Sequence, residues 1–224
     1  MTNLPHPIDI LDFLSCEDVD LPELRIVDVG AMDRGENELW SRLVSGGTAS
    51  LIGFEPNPAE CEKLNSANRA NCRFLPHALG DGAAHTLYIG KEPMTSSIFP
   101  PDPEVMQRFH NLWELSETVD EEPIDTVRLD DLPEARPADF IKLDVQGAEL
   151  LILENAGETL TTTVAIQTEI CFLPIYKNQA LFADIDINLR ARGFAFHTMV
   201  GVGSRPYRPL IKDGTTNRGF AQVI

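Results

Sequence analysis

Residues 138–156 read ADFIKLDVQGAELLILENA, and the fold class follows from how this stretch changes period. Residues 138–143 form a short apolar run that reads as a strand, and residues 147–156 carry apolar side chains at helical spacing. Asp144, Gln146 and Gly147 mark a polar turn between them. A strand that passes through a tight turn into a helix is half of a parallel-sheet unit, because parallel strands need a helix-length connection. Side chains alternate along a strand, so Lys142 and Asp144 share a face and Asp144 stands where the strand meets a cleft. Glu149 falls in the first helical turn, where a carboxylate meets the positive end of the helix dipole.

The same alternation extends in both directions. Upstream, RIVDV at 25–29, SLIGF at 50–54 and Cys72 to Leu75 read as strands, with helices at 37–44 and 57–68. Downstream, TVAIQTEI at 163–170 is a strand and 181–192 a helix. FAFHTM at 194–199 and GFAQVI at 219–224 read as two last strands, one of them antiparallel. Thr86 to Ile89 adds a strand in the middle. The expectation is an α/β fold with about seven strands in a mostly parallel sheet and helices on both faces. Glu92 to Pro123, rich in Pro and acid with an aromatic segment at Val105 to Leu115, reads as an irregular insertion over the substrate side. The whole chain, 1–224, is read as one domain with an N-terminal extension at 1–24 and this insertion at 92–123.

Charge narrows the partners. The chain has 18 Lys plus Arg against 35 Asp plus Glu, a net charge of −17. Binding to a phosphate backbone requires basic patches, so neither nucleic acid nor an anionic membrane is expected. No apolar run approaches the roughly 18 residues of a membrane span. The first residues include Asp9 and Asp12 and lack a basic start, so the cytoplasm is the expected location. The four cysteines, Cys16, Cys61, Cys72 and Cys171, form no Cys-x-x-Cys pair, which excludes a zinc ribbon or thioredoxin-type site. They read as small buried apolar residues.

Two further motifs lie at strand ends, where open α/β sheets bind ligands. Asp28, Gly30 and Ala31 close the first strand. Met32 stands where a dinucleotide-binding turn would place its second glycine, which argues against a pyrophosphate. Asp28 suits the ammonium of a bound amino acid better than a phosphate. Glu55 and Pro56 close the second strand, where a carboxylate accepts hydrogen bonds from ribose hydroxyls; Asn57 and Pro58 also fit a helix start.

The stretch IKLDVQGAELLILENA at 141–156, followed by residues 164–194, resembles the FkbM family of S-adenosylmethionine-dependent methyltransferases. DVGA at 28–31 and FEPNP at 54–58 match that family's cofactor motifs in order and spacing. The resemblance implies a class I methyltransferase fold, a seven-stranded, mostly parallel Rossmann-like sheet with S-adenosylmethionine over the carboxyl ends of the strands. Carried over by position, Asp28, Gly30 and Ala31 would line the methionine part, Glu55 and Pro56 the ribose, and His77 and Ala78 the adenine, with Asp81 a further candidate. Asp144 would stand near the sulfonium. Family members commonly methylate hydroxyl groups of sugars and natural products, so a small-molecule hydroxyl acceptor is the implied partner. Two positions depart from the pattern. Gln146 stands where the family carries Glu, and Gly35 follows Gly30 by five residues rather than four.

An alcohol acceptor must lose its proton, so a base is expected within hydrogen-bond reach. Asp144 and Glu169 are the first candidates and His197 the third. Lys142 reads either as a catalytic group or as the ion-pair partner of a neighbouring carboxylate. Ser97, Trp113 and Tyr176 are expected in the acceptor pocket, with Ser96 beside them. Carboxylates around one cleft can ligate Mg²⁺, although no tight acidic cluster demands it. Two alternatives remain at this point: a nicotinamide-dependent oxidoreductase, and a catalytically silent protein that uses the cofactor fold for binding.

Overall fold

The computed structural model describes residues 22–31, 40–67, 69–209 and 221–223. Most of the N-terminal extension, Cys16, Met32, Gly35 and the first part of the helix expected at 37–44 lie outside the described residues. The central sheet has five strands, all parallel: β1 (Leu24–Val29), β2 (Ala49–Phe54), β3 (Cys72–Leu75), β7 (Phe140–Leu143) and β8 (Ala165–Thr168). Their order is β3-β2-β1-β7-β8. The chain therefore builds outward in one direction from β1 to β3 and in the other from β7 to β8. The reversal falls between β1 and β7, which is where a doubly wound sheet opens a ligand crevice.

Alternation along the strands assigns the helices to faces. Val27 and Val29 of β1 share a face with Ile141 and Leu143 of β7, and pack with Ile152 and Leu153 of α5 (Glu149–Glu154) and Ile185 of α6 (Phe182–Ala191). The opposite face carries Ile26, Leu51 and Phe74, covered by Val44 of α1 (Ser41–Ser45) and by Cys61 and Leu64 of α2 (Pro58–Ser66). Each fully buried aliphatic side chain of this kind contributes about 1.5–3 kcal/mol. Helix α2 starts as its sequence dictates: Pro58 occupies the first turn, and the Asn57 side chain accepts from the N–H of Ala59 at 3.0 Å and of Glu60 at 3.3 Å. Cys61 and Cys171 are buried, and Cys61, Cys72 and Cys171 are free thiols.

The middle of the chain corrects the expected irregular insertion. β6 (Thr118–Val127) is a ten-residue strand, antiparallel to β5 (Ala84–Gly90) and parallel to the short β4 (Ala78–Leu79), in a second sheet of order β4-β6-β5. Four acids and Pro123 conceal it in the sequence. β4 pairs only with Thr126 and Val127, so most of β6 has an open edge, where a proline without an N–H is tolerated. Residues 93–117 hold α3 (Pro103–Met106) and α4 (Leu112–Ser116), and Met106, Phe109, Leu112 and Tyr176 form a core of their own.

The seven-stranded expectation also changes at the C-terminal end. Residues 194–199 form no strand. Phe196 is 48% exposed and packs edge-on against Phe182, so these aromatic residues satisfy each other outside the sheet. The antiparallel pair is instead β9 (Ser204–Pro206) with β10 (Ala221–Val223), separate from the central sheet. Among the described residues no helix is long and apolar enough to cross a membrane.

Candidate active site

A cleft of about 580 Å³ opens over the carboxyl ends of β1, β2 and β7. Gly30, Glu55, Pro56, His77, Ala78 and Asp144 line it together. These residues converge because adjacent parallel strands end at the same level. The N–H groups of Gly30 and Ala31 both donate to the Phe54 carbonyl, Glu55 N–H donates to Leu75 O at 3.1 Å, and Asp144 N–H donates to Val29 O at 3.1 Å. Gly30 takes φ +76°, and a Cβ built there would stand 2.1 Å from the Asp144 carbonyl oxygen. Only glycine lets β1 turn away this close to β7.

Glu55 is the most telling group on the floor. Its Oε1 accepts from the Asn57 N–H at 2.8 Å, and it is 6% exposed. Burial pushes its carboxyl above the ordinary value of 4.5, with the Asn57 N–H offsetting part of the rise and Glu60 adding to it. Ligand hydroxyls donating to the second oxygen would relieve that desolvation.

Asp28 and Lys142 serve each other. They are partners in register across β1 and β7 and both are 7% exposed; Lys142 Nζ lies 3.1 Å from Asp28 Oδ1 and 3.8 Å from Asp144 Oδ2. The ammonium facing Asp28 is thus the protein's own, and neither residue is among those lining the cleft. Ala31 turns its side chain into the core, 3.1 Å from where a Cβ on Gly53 would stand. Asp81 fastens the β4–β5 turn, accepting from Ala83 N–H at 3.0 Å and contacting His85 Nε2 at 2.8 Å.

The other candidates divide. Glu169 follows β8 and is bonded to Gln146 Nε2 at 2.8 Å. His197 lies on an exposed irregular segment, not on a strand, and does not line the cleft. Ser97 and Tyr176 are each 2% exposed and hold the structure behind the cleft, whereas Ser96 lines it. Trp113 packs against the Met106–Phe109–Tyr176 core. Tyr176 OH donates toward Thr95 O and Gln146 Oε1, and burial raises the phenol's pKa far above its ordinary value. Glu149, fully enclosed, accepts from the N–H groups of Val145 and Gly147 at 3.0 and 3.3 Å, stapling the β7 turn; burial raises its carboxyl pKa.

Sequence reading missed the wall opposite the floor. Leu87 and Ile89 of β5, Glu122 and Ile124 of β6, and Met94 and Ile98 form it. Of the acids expected over the cleft, Glu122 lines it, while Asp102 and Glu104 line a separate hollow beside Tyr176. The alternation of Leu87 and Ile89 was the available signal; their partners on β6 were hidden by its acids. Among the described residues four carboxylates, Glu55, Glu60, Glu122 and Asp144, line the cleft, and no Lys or Arg does. Among the described residues no group of three or more His, Cys, Asp or Glu is arranged to hold a metal ion.

The sequence profile of the methyltransferase FkbM domain matches residues 28–196, a span containing every strand of both the central and the second sheet from Asp28 onward. The chain belongs to the FkbM methyltransferase family. That membership makes the protein a methyltransferase and sets aside the oxidoreductase alternative. No curated protein and no solved structure gives a significant match. In this FkbM protein the DVGA and FEPNP stretches both lie within the matched span and end at the cleft floor.

Proposed function

We propose that this FkbM protein transfers a methyl group from S-adenosylmethionine to a hydroxyl of a neutral or cationic small molecule. The observation that carries the reading is Glu55. Its partly satisfied carboxylate stands at the end of β2, beside the switch between β1 and β7, with His77 and Ala78 next to it in the cleft. This is where a ribose diol finds an acceptor in α/β nucleotide sites. The lining residues fit the group: among the described residues, four carboxylates without Lys or Arg favour a cationic sulfonium and disfavour a pyrophosphate.

S-adenosylmethionine, when bound, supplies the methyl carbon and a thioether leaving group. The chain has to hold the acceptor oxygen in line with that carbon, a positioning effect worth up to about 10 kcal/mol. It also has to receive the hydroxyl proton. Asp144 lines the cleft and is the group proposed to take it, with Glu169 linked to it through Gln146. Lys142 holds Asp144 and Asp28 in place across the strand ends.

The test is calorimetric titration of S-adenosylhomocysteine and of NAD into the full chain. Binding of the former is expected, and Glu55→Ala should weaken it by about 1–3 kcal/mol, the range for losing hydrogen bonds to a charged group. Unchanged affinity in that variant removes Glu55 from the site. Binding without transfer to any member of a broad hydroxyl library would favour the silent reading.

A further inference from the structure

Gln146 joins the β7 turn, the loop after β8 and the cover of the cleft. Its Nε2 donates to Glu169 Oε2 at 2.8 Å and to Asp144 Oδ1 at 3.3 Å. Its Oε1 accepts from Tyr176 OH at 3.1 Å, and its backbone carbonyl accepts from Ser97 Oγ at 2.6 Å. A primary amide has two N–H donors, and here each meets a different carboxylate. The backbone is left-handed, with φ +56°, a conformation uncommon for any residue but glycine. Four hydrogen bonds therefore converge on a residue that local propensity would not place in this conformation.

Several ionisable groups surround this amide. Asp28 and Lys142 lie on the strand ends, Glu149 is enclosed beneath the turn, and Cys171 and Tyr176 come from the loop after β8. The Lys142 ammonium lies 3.8 Å from Asp144 Oδ2. Two carboxylates bridged by a neutral donor can both stay ionised, whereas a third acid in the bridging place would oppose them and complete a set of hard oxygen ligands.

We propose that Gln146 is a positioning residue. Its amide clasps Asp144 and Glu169 as a pair at the edge of the cleft, orients Asp144 for proton transfer, and occupies the oxygens through which the pair would share a divalent cation. The role in proton transfer rests on the methyltransferase reading above, while the clasp itself does not.

The decisive variant is Gln146→Glu. It keeps side-chain length and the oxygen that accepts from Tyr176, and it exchanges only the two N–H donors for an acceptor. The full chain, wild type and variants, is titrated with Mn²⁺ followed by electron paramagnetic resonance, and with S-adenosylhomocysteine followed by calorimetry with EDTA or with Mn²⁺. Gln146→Glu should gain a Mn²⁺ site that the wild type lacks. Its S-adenosylhomocysteine affinity in EDTA should fall about tenfold, because both Asp144 and residue 146 line the cleft, and Mn²⁺ should restore it.

The exchange variant Gln146→Glu/Glu169→Gln keeps the wild-type net charge and one amide–carboxylate bond, between residues 146 and 169, but leaves the new carboxylate at position 146 against Asp144 with no donor between them. It should stay below wild-type affinity without Mn²⁺, which a role for Gln146 in net charge alone does not explain. Gln146→Ala should lose affinity that Mn²⁺ cannot restore. A Gln146→Glu protein with no Mn²⁺ site and wild-type affinity overturns the clasp, as does an exchange variant that returns to wild-type affinity. Failure of the wild type to bind S-adenosylhomocysteine overturns the cofactor reading instead, and the Mn²⁺ comparison still decides the clasp.

Discussion

The two sides of the cleft hold their ligand-facing groups by different means. The floor places Gly30, Glu55 and Asp144 at the ends of adjacent parallel strands, each fixed by a backbone hydrogen bond to its neighbour. The opposite wall is an antiparallel pair, β5 with β6, presenting Leu87, Ile89 and Ile124 with Glu122 among them, and closed by Met94 and Ile98. The floor carries charge and directional hydrogen bonds. The wall offers apolar contact and one carboxylate. Under the proposed function, recognition of a charged cofactor falls to the floor and fit to an acceptor body to the wall, and substitutions on one side should leave a different signature from those on the other.

The largest expected effect lies on the floor. Lys142→Met removes the ammonium that faces Asp28 and Asp144 while leaving a buried carboxylate behind. It should lower folding stability by about 3–5 kcal/mol in urea denaturation, the range for breaking a buried pair by deleting one partner. A loss under about 1 kcal/mol, as exposed pairs give, would mean that the strand ends do not depend on this charge. Gly30→Ala comes next. A left-handed backbone costs about 1–3 kcal/mol for other residues, and the new Cβ meets the Asp144 carbonyl, so both melting temperature and S-adenosylhomocysteine affinity should drop. An intact affinity would show that β1 can move from β7 without disturbing the site.

A smaller effect sharpens the contrast between the sides. Glu122→Gln on the wall should change S-adenosylhomocysteine affinity by less than about 1 kcal/mol, the scale of a hydrogen bond without charge, and by less than Glu55→Ala does. If calorimetry gives Glu122→Gln the larger loss, the cofactor lies against β6 and the assignment of the two sides reverses.

The same division explains how much was legible in the sequence. Glu55, His77, Ala78 and Asp144 follow short strands whose apolar runs are contiguous, so their place at the sheet's edge needs only local pattern and the rule for parallel connections. Asp28 and Lys142 needed one more step. Their pairing depends on β1 lying next to β7 across more than a hundred residues of chain, which fixes the Asp28–Lys142 register. The wall depended on β6, whose acids and Pro123 resemble a loop when read locally. The strand expected at 194–199 failed for the converse reason, since Phe196 packs on Phe182 and Phe194 against the main core, without pairing to a sheet edge. Gln146 stood out only as an unusual residue in a familiar motif; its four partners come from its own turn, the loop after β8 and the cover of the cleft.

The smallest expected effect probes what holds the floor's central turn. Glu149 accepts from Val145 and Gly147 through a single oxygen, Oε1, so Glu149→Gln can keep both bonds while removing the charge. Burial raises the Glu149 carboxyl above its ordinary 4.5. A group whose pKa is higher in the folded than in the unfolded chain contributes stability below its unfolded value and loses it as pH rises through the folded value. The wild type should thus lose stability relative to Glu149→Gln as pH climbs from just under 4.5 through the raised value. The melting-temperature difference between variant and wild type, followed over that range, should move in favour of the variant. A difference that stays constant with pH would place the cost of the turn elsewhere, in the left-handed Gln146 backbone, and not in the enclosed carboxyl.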